Sequence, residues 1–156
     1  MARAMIVGCG CRGRSLGERL LADGWAVRGT SRGAALEAID AAGIEAVEAD
    51  PDMLGTITER IGDVTILVWL MGAADTPDAN GPRLESLLEK LVDSPVRGLL
   101  YEARGSAGAE VLEAGAAKVE AAGERFRIPM AVLRADPADP DAWVEEAHAA
   151  ALALIS

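Results

Sequence analysis

The chain is poor in the residues that most often carry chemistry. Its 156 residues include two cysteines, one histidine and one tyrosine. Cys9 and Cys11 stand two apart and are too few for a disulfide framework. A metal centre needs more ligands than these, and the single histidine, His148, lies far along the chain in a helical pattern. No apolar run approaches the ~20 residues of a membrane span. The N-terminus enters a strand-like segment at once, without the apolar stretch and cleavage site of a secretory signal. Basic residues are in the minority, 15 against 25 acidic ones, for a net charge of −10. A broadly acidic surface repels phosphate backbones and anionic membranes. These absences argue against nucleic acid and membrane as partners and predict a cytoplasmic protein.

Apolar residues make up 51% of the chain, which argues against disorder. The length suits one domain over residues 1–156, with a real core and no staples.

Strand-like and helix-like segments alternate throughout. Residues 5–7 form a short apolar run. Residues 14–23 place Leu16, Leu20 and Leu21 on one helical face, closed by Gly24. Strand patterns follow at 25–30, 44–49, 64–72, 96–103 and 128–134, the fourth-strand run at 64–72 being apolar enough for burial on both faces. Helical patterns separate them at 34–43, 53–62, 82–94 and 107–126. Asp139 and Pro140 signal the cap and first turn of a last helix, with Trp143, Ala147, Ala150 and Leu154 on one stripe. The pattern predicts an α/β fold, a doubly wound parallel sheet of about six strands with helices on both faces. Ligands of such sheets bind at the carboxyl ends of the strands.

The stretch "GCGCRG" is a complete G-x-G-x-x-G at Gly8, Gly10 and Gly13. It follows the first strand and opens the first helix, the context of a Rossmann dinucleotide site. Gly8 suits the tight turn, Gly10 a close approach of backbone to diphosphate, and Gly13 close packing of helix on strand. Cys9, Cys11 and Arg12 complete the candidate loop. The diphosphate would meet the free N–H groups and dipole of the helix N-terminus. Gly17, one turn on, would let the helix lie close to the sheet.

The end of the second strand selects the cofactor. An acidic residue there usually binds the ribose hydroxyls of NAD. This chain has Thr30, Ser31 and Arg32 instead. With no carboxylate to repel it, a 2′-phosphate can be held by hydroxyls and a guanidinium. NADP(H) is therefore the preferred cofactor, with NAD(H) as the other candidate. Asp50, at the end of the third strand, reads either as an acceptor for the adenine amino group or as a turn residue before Pro51.

The segments "IVGCGCRGRSLGERLLADGWAVRGTSR", "VTILVWLMGAA" and "AGAAKVEAAGERFRIPMAVLRADPADP" together resemble the NAD(P)-dependent epimerase/dehydratase group of the short-chain dehydrogenase/reductase superfamily. The likeness is to its extended or atypical branch, truncated after the sixth strand. It adds Leu70, Met71 and Gly72, in the turn closing the fourth strand, to the cofactor site. The family carries Tyr-x-x-x-Lys on its active-site helix, with the tyrosine as acid/base and the lysine on the nicotinamide ribose. Lys118 matches the lysine, but Ala114 stands at the tyrosine position. Tyr101, the only tyrosine, lies on the fifth strand. Ser106 falls near the family's polarising serine and reads equally as an N-cap for helix 107–126. Lys118 reads equally as a solvated charge near Glu113 and Glu120. The resemblance also implies a homodimer packed through the alanine-rich helix 107–126.

The expected function is thus an NADP(H)-binding Rossmann protein without tyrosine-based catalysis, acting as a cofactor or redox sensor or as a regulator. The alternative is an NAD(P)-dependent oxidoreductase or epimerase-like enzyme whose proton donor is a water, Cys9 or a residue of the 72–82 loop. A third reading is a structural subunit with an empty site.

Overall fold

Short apolar runs bounded by glycine, and amphipathic segments between them, become strands and helices in strict alternation. A computed structural model describes residues 2–74 and 77–156. The strands are β1 (Arg3–Val7), β2 (Ala26–Ser31), β3 (Glu45–Glu48), β4 (Ile66–Trp69), β5 (Gly98–Glu102) and β6 (Met130–Leu133). The helices are α1 (Cys11–Ala22), α2 (Leu36–Ala41), α3 (Gly55–Thr58), α4 (Pro82–Leu91), α5 (Ala109–Phe126) and α6 (Pro140–Ala153). All strand pairings are parallel, in the order β3-β2-β1-β4-β5-β6. This is a Rossmann-type doubly wound sheet. Its order reverses between β1 and β4, the switch point where ligand crevices open.

Alternate side chains of β1 feed two cores. Met5 and Val7 pack with Ile57 of α3, Leu84 and Leu87 of α4, and Val119 of α5. Ala4 and Ile6 pack with Leu16 and Leu20 of α1, Ile39 of α2, and Trp143 and Ala147 of α6. Ile66, Leu67, Val68 and Trp69 of β4 are wholly buried, as a strand covered on both faces requires. Each such side chain stabilises the fold by about 1.5–3 kcal/mol relative to exposure.

Several elements depart from the sequence expectation, α3 among them, which runs over Gly55–Thr58 rather than residues 53–62. Helix α1 begins at Cys11 rather than residue 14, because the Arg14 N–H already donates to the Gly10 carbonyl at 2.8 Å. Helix α5 is capped by Gly108, so Ser106 is no N-cap; it sits exposed in the preceding turn. The buried stripe of α6 runs through Trp143, Ala147 and Ala151 to Leu154, with Ala150 turned partly outward. Steps of four and three residues keep that stripe against α1 and the sheet. The Asp139 cap forms as expected, its carboxylate accepting from the Ala142 N–H at 3.3 Å. Among the described residues no helix is long and apolar enough to cross a membrane.

Candidate functional site

The glycine loop gives each of its glycines a different task. Gly8 has φ +83°, and a Cβ there would lie 2.5 Å from the Leu70 carbonyl oxygen. Only glycine meets both demands. The turn is tied to the end of β2: the Gly8 N–H donates to Thr30 Oγ1 at 3.3 Å, and the Cys9 N–H to the Thr30 carbonyl at 2.9 Å. Among the described residues a Cβ on Gly10 would meet nothing within 4 Å, so its α-carbon faces open space there. A Cβ on Gly13 would lie 3.2 Å from Ile6, and one on Gly17 only 2.5 Å from Ile44. Those two glycines bring α1 down onto the sheet.

Gly8, Cys9 and Gly10 form one wall of a cleft of about 260 Å³. Gly10 is the N-cap of α1 and offers no side-chain cap, so the first N–H groups of the helix have no capping side chain. The opposite wall comes from the end of β2 and the turn after β3. Thr30, buried by its bonds to the loop, lines the cleft with Ser31 and Arg32. Ser31 Oγ accepts from the Gly33 and Ala35 N–H groups, both at 3.1 Å, and holds the backbone after β2. Asp50 also lines the cleft while its Oδ1 accepts from the Asp52 N–H at 2.9 Å. It is therefore a turn residue that still faces the cleft. Leu70 and Met71 close the third side. The remaining candidates of the loop and turn, Cys11, Arg12, Gly13 and Gly72, lie outside this lining.

The Cys9 side chain is buried in the core beneath the loop. A Cβ on Gly29 would lie 2.7 Å from its sulfur, which is wedged between α1 and β2. Burial pushes its pKa up to about 12, so it holds its proton at neutral pH. Asp75 and Thr76 of the 72–82 loop lie outside the described residues.

Across the switch point the strand ends are joined to one another. The Arg12 guanidinium reaches Glu102 at the end of β5, Nη2 to Oε2 at 2.9 Å. Glu102 is 1% exposed, and its Oε1 accepts from the Gly72 N–H at 3.1 Å. The Arg12 guanidinium also lies 5.3 Å from the centroid of the Trp143 ring. Among the described residues Arg12 Nε and Trp143 Nε1 are buried donors with no hydrogen-bond partner. Beside them Gly72 and Gly105 pack backbone to backbone: a Cβ on Gly105 would fall 2.2 Å from the Gly72 oxygen. The Ala107 N–H donates to that same oxygen at 2.8 Å.

The helix pattern resolves as follows. Lys118 pairs with Glu85 of α4, Nζ to Oε1 at 3.4 Å, rather than with the acids of its own helix. It does not line the cleft. Ala114, one turn earlier, is exposed, and its neighbour Glu113 pairs with Arg134 at 2.8 Å. Tyr101 is buried. Its hydroxyl donates to Asn80 Oδ1 at 2.7 Å, and Asn80 Nδ2 donates to the Met71 carbonyl at 2.9 Å. Burial raises the phenol above its ordinary pKa. A Cβ on Gly115 would lie 2.1 Å from the Tyr101 oxygen, so α5 crosses β5 at that glycine. Tyr101 and Asn80 thus hold the β4–α4 connection that forms one side of the cleft. Sequence reasoning did not single out Asn80 or Glu102. The signal for Glu102 was an acid at the end of an otherwise apolar strand.

The site can receive an anion at Gly10 and the start of α1, with a ribose or base against β2 and β3. Burial raises the pKa of Cys9 and of Tyr101 alike, which makes both poor proton donors.

No family model and no curated protein matches the chain. Solved structures share its fold. A Thermus thermophilus UDP-glucose 4-epimerase complexed with NAD aligns at 15% identity and TM-score 0.69, over 85% of this chain and 54% of that one. A Brucella ovis short-chain dehydrogenase/reductase aligns at 14% and 0.68, over 100% and 94%. A Citrobacter triphenylmethane reductase complexed with NADP(H) aligns at 17% and 0.66, over 86% and 49%. The chain spans about half the length of the epimerase and of the triphenylmethane reductase.

Proposed function

We propose that the protein binds a nicotinamide dinucleotide in the cleft at the ends of β1, β2 and β3, and prefers NADP(H) to NAD(H). The observation that carries this reading is the open α-carbon of Gly10 beside the cleft, in a loop whose other glycines are packed against protein. A diphosphate can lie on that backbone and meet the first N–H groups of α1. The preference rests on the end of β2, where Ser31 and Arg32 line the cleft and no carboxylate stands. A guanidinium contact to a 2′-phosphate contributes about 1.5–3 kcal/mol, or roughly tenfold to a hundredfold in affinity.

The bound nucleotide serves a sensing or regulatory role without tyrosine-based catalysis. Ala114 supports this, because it stands one turn before Lys118, where a proton donor would have to be. Lys118 supports it too, being paired with Glu85 away from the cleft.

The test is calorimetric titration of the wild type and Gly10→Val with NADPH and NADH. NADPH is expected to bind at least tenfold tighter than NADH. Gly10→Val should weaken NADPH at least tenfold with its melting temperature retained. Equal affinity of the two cofactors would remove the preference. A folded Gly10→Val protein that binds like wild type would remove the loop from the site.

A further inference from the structure

A doubly wound sheet offers two mononucleotide half-sites, one on β1–β3 and one on β4–β6. In this chain they are unequal. The cleft occupies the first half, and its lining ends at the loop after β4 and at Ala79. None of its described lining residues comes from β5, β6 or α5. Its volume of about 260 Å³ falls below the ~300–1,000 Å³ of sites that enclose a whole drug-sized ligand.

Three contacts occupy the edge of the second half. Arg12 crosses the end of β4 to reach Glu102 on β5. Glu102 uses its other oxygen on the Gly72 N–H. Gly72 and Gly105 close the gap between the β4 and β5 ends, backbone on backbone. The bridge is anchored. Glu102 is almost wholly buried, and Arg12 rests on the face of a fully buried Trp143. Arg12 comes from the glycine loop itself, so its charge is directed away from the cleft and into this closure.

We infer that the protein reads the adenosine-diphosphate end of its ligand alone, with the Arg12–Glu102 bridge holding the second mononucleotide half shut. The inference rests on the dinucleotide reading above and narrows it. The nicotinamide stays in solvent, so its oxidation state does not alter affinity. The ligand class is an adenosine diphosphate bearing a ribose phosphate, with or without a nicotinamide. A protein built this way responds to the amount of the nucleotide rather than to its redox ratio.

The experiment is calorimetry on the full chain with 2′-phospho-ADP-ribose, NADP+, NADPH and nicotinamide mononucleotide. The three adenosine ligands should agree within threefold, and the mononucleotide should show no heat of binding. NADPH fluorescence should keep its free emission maximum when the protein is saturated. A difference above threefold between NADP+ and NADPH, or between either and 2′-phospho-ADP-ribose, overturns the inference while leaving dinucleotide binding in place. Absence of binding by every adenosine ligand overturns both. In Arg12→Gln, opening of the second half should give NADPH at least a threefold advantage over 2′-phospho-ADP-ribose. A folded Arg12→Gln protein with the wild-type ratio would show that the bridge is not what closes that half. If the variant fails to fold, the wild-type panel and the emission maximum decide alone.

Discussion

After β1 the chain leaves the sheet through Gly10, and nothing stands within 4 Å of where a side chain would be. Two strands away, after β5, Gly105 faces the Gly72 backbone so closely that no side chain could be placed there. Both edges are rich in glycine and both lie at the carboxyl ends of parallel strands. One is open beside a cleft; the other is sealed by its own backbone and by the Arg12–Glu102 pair. Glycine at a strand end therefore marks close approach of something to the backbone. Whether that something is a ligand or another piece of the chain depends on what lies opposite.

The strongest way to break the contrast is at Trp143, which lies beneath Arg12 on the sealed side. Removing a fully buried tryptophan typically costs about 3–5 kcal/mol, so Trp143→Ala should lose that much in denaturant unfolding. Trp143→Phe keeps a ring under the guanidinium and drops the unpaired indole N–H. It removes less buried volume and should cost less than Trp143→Ala. Equal losses in the two variants would mean that the ring does not support the bridge.

A smaller effect is expected on the open side. Ser31→Asp with Arg32→Ala places a carboxylate where a 2′-phosphate would lie and removes the guanidinium. NADP(H) affinity should fall roughly tenfold to a hundredfold, the equivalent of about 1.5–3 kcal/mol, while NAD(H) is spared or improved. Ser31 also orders the backbone at Gly33 and Ala35. An aspartate can accept the same two N–H bonds, so the melting temperature should hold. Parallel loss of both cofactors would mean that the turn had been damaged and that the residues do not discriminate.

The open side was legible in the sequence and the sealed side was not. The glycine loop, the first helix and the acid-free end of β2 lie within 32 residues, and each is fixed by local spacing. That the sheet is parallel followed from the alternation, because parallel strands need crossovers; the order in which they lie did not. Arg12 and Glu102 are 90 residues apart and meet only once β4 is inserted between β1 and β5. Lys118 had two acids on its own helix within reach of a local argument, yet it pairs with Glu85 from α4. Tyr101 read as a stray tyrosine until Asn80 came under it. In each case the deciding partner lies on another element, beyond any periodicity. The Ser106 cap failed for a local reason: the chain turns through Gly108 at φ +104° before the helix begins, which moves the cap two residues on.

The smallest expected effect is none, and it concerns the helix that most resembles a catalytic one. Tyrosine and lysine one turn apart on a helix share a face, so Ala114→Tyr places both residue types of such a catalytic pair on α5. It does not restore their setting. Ala114 is exposed, and Lys118 is held toward α4 by Glu85. Neither residue lines the cleft. A substitution at an exposed helical site should change stability by no more than about 0.5 kcal/mol. A positioned acid/base contributes about 10²–10⁴-fold in rate, but only within reach of a reacting carbonyl. Wild type and Ala114→Tyr should therefore both fail to oxidise NADPH or NADH against a panel of carbonyl compounds. Turnover in the variant alone would mean that Lys118 leaves Glu85 for a cofactor ribose and that the second half opens in solution. Turnover in the wild type would replace the proposed sensing role with an oxidoreductase whose proton donor is neither Cys9 nor Tyr101, since burial raises both pKa values and makes both poor acids.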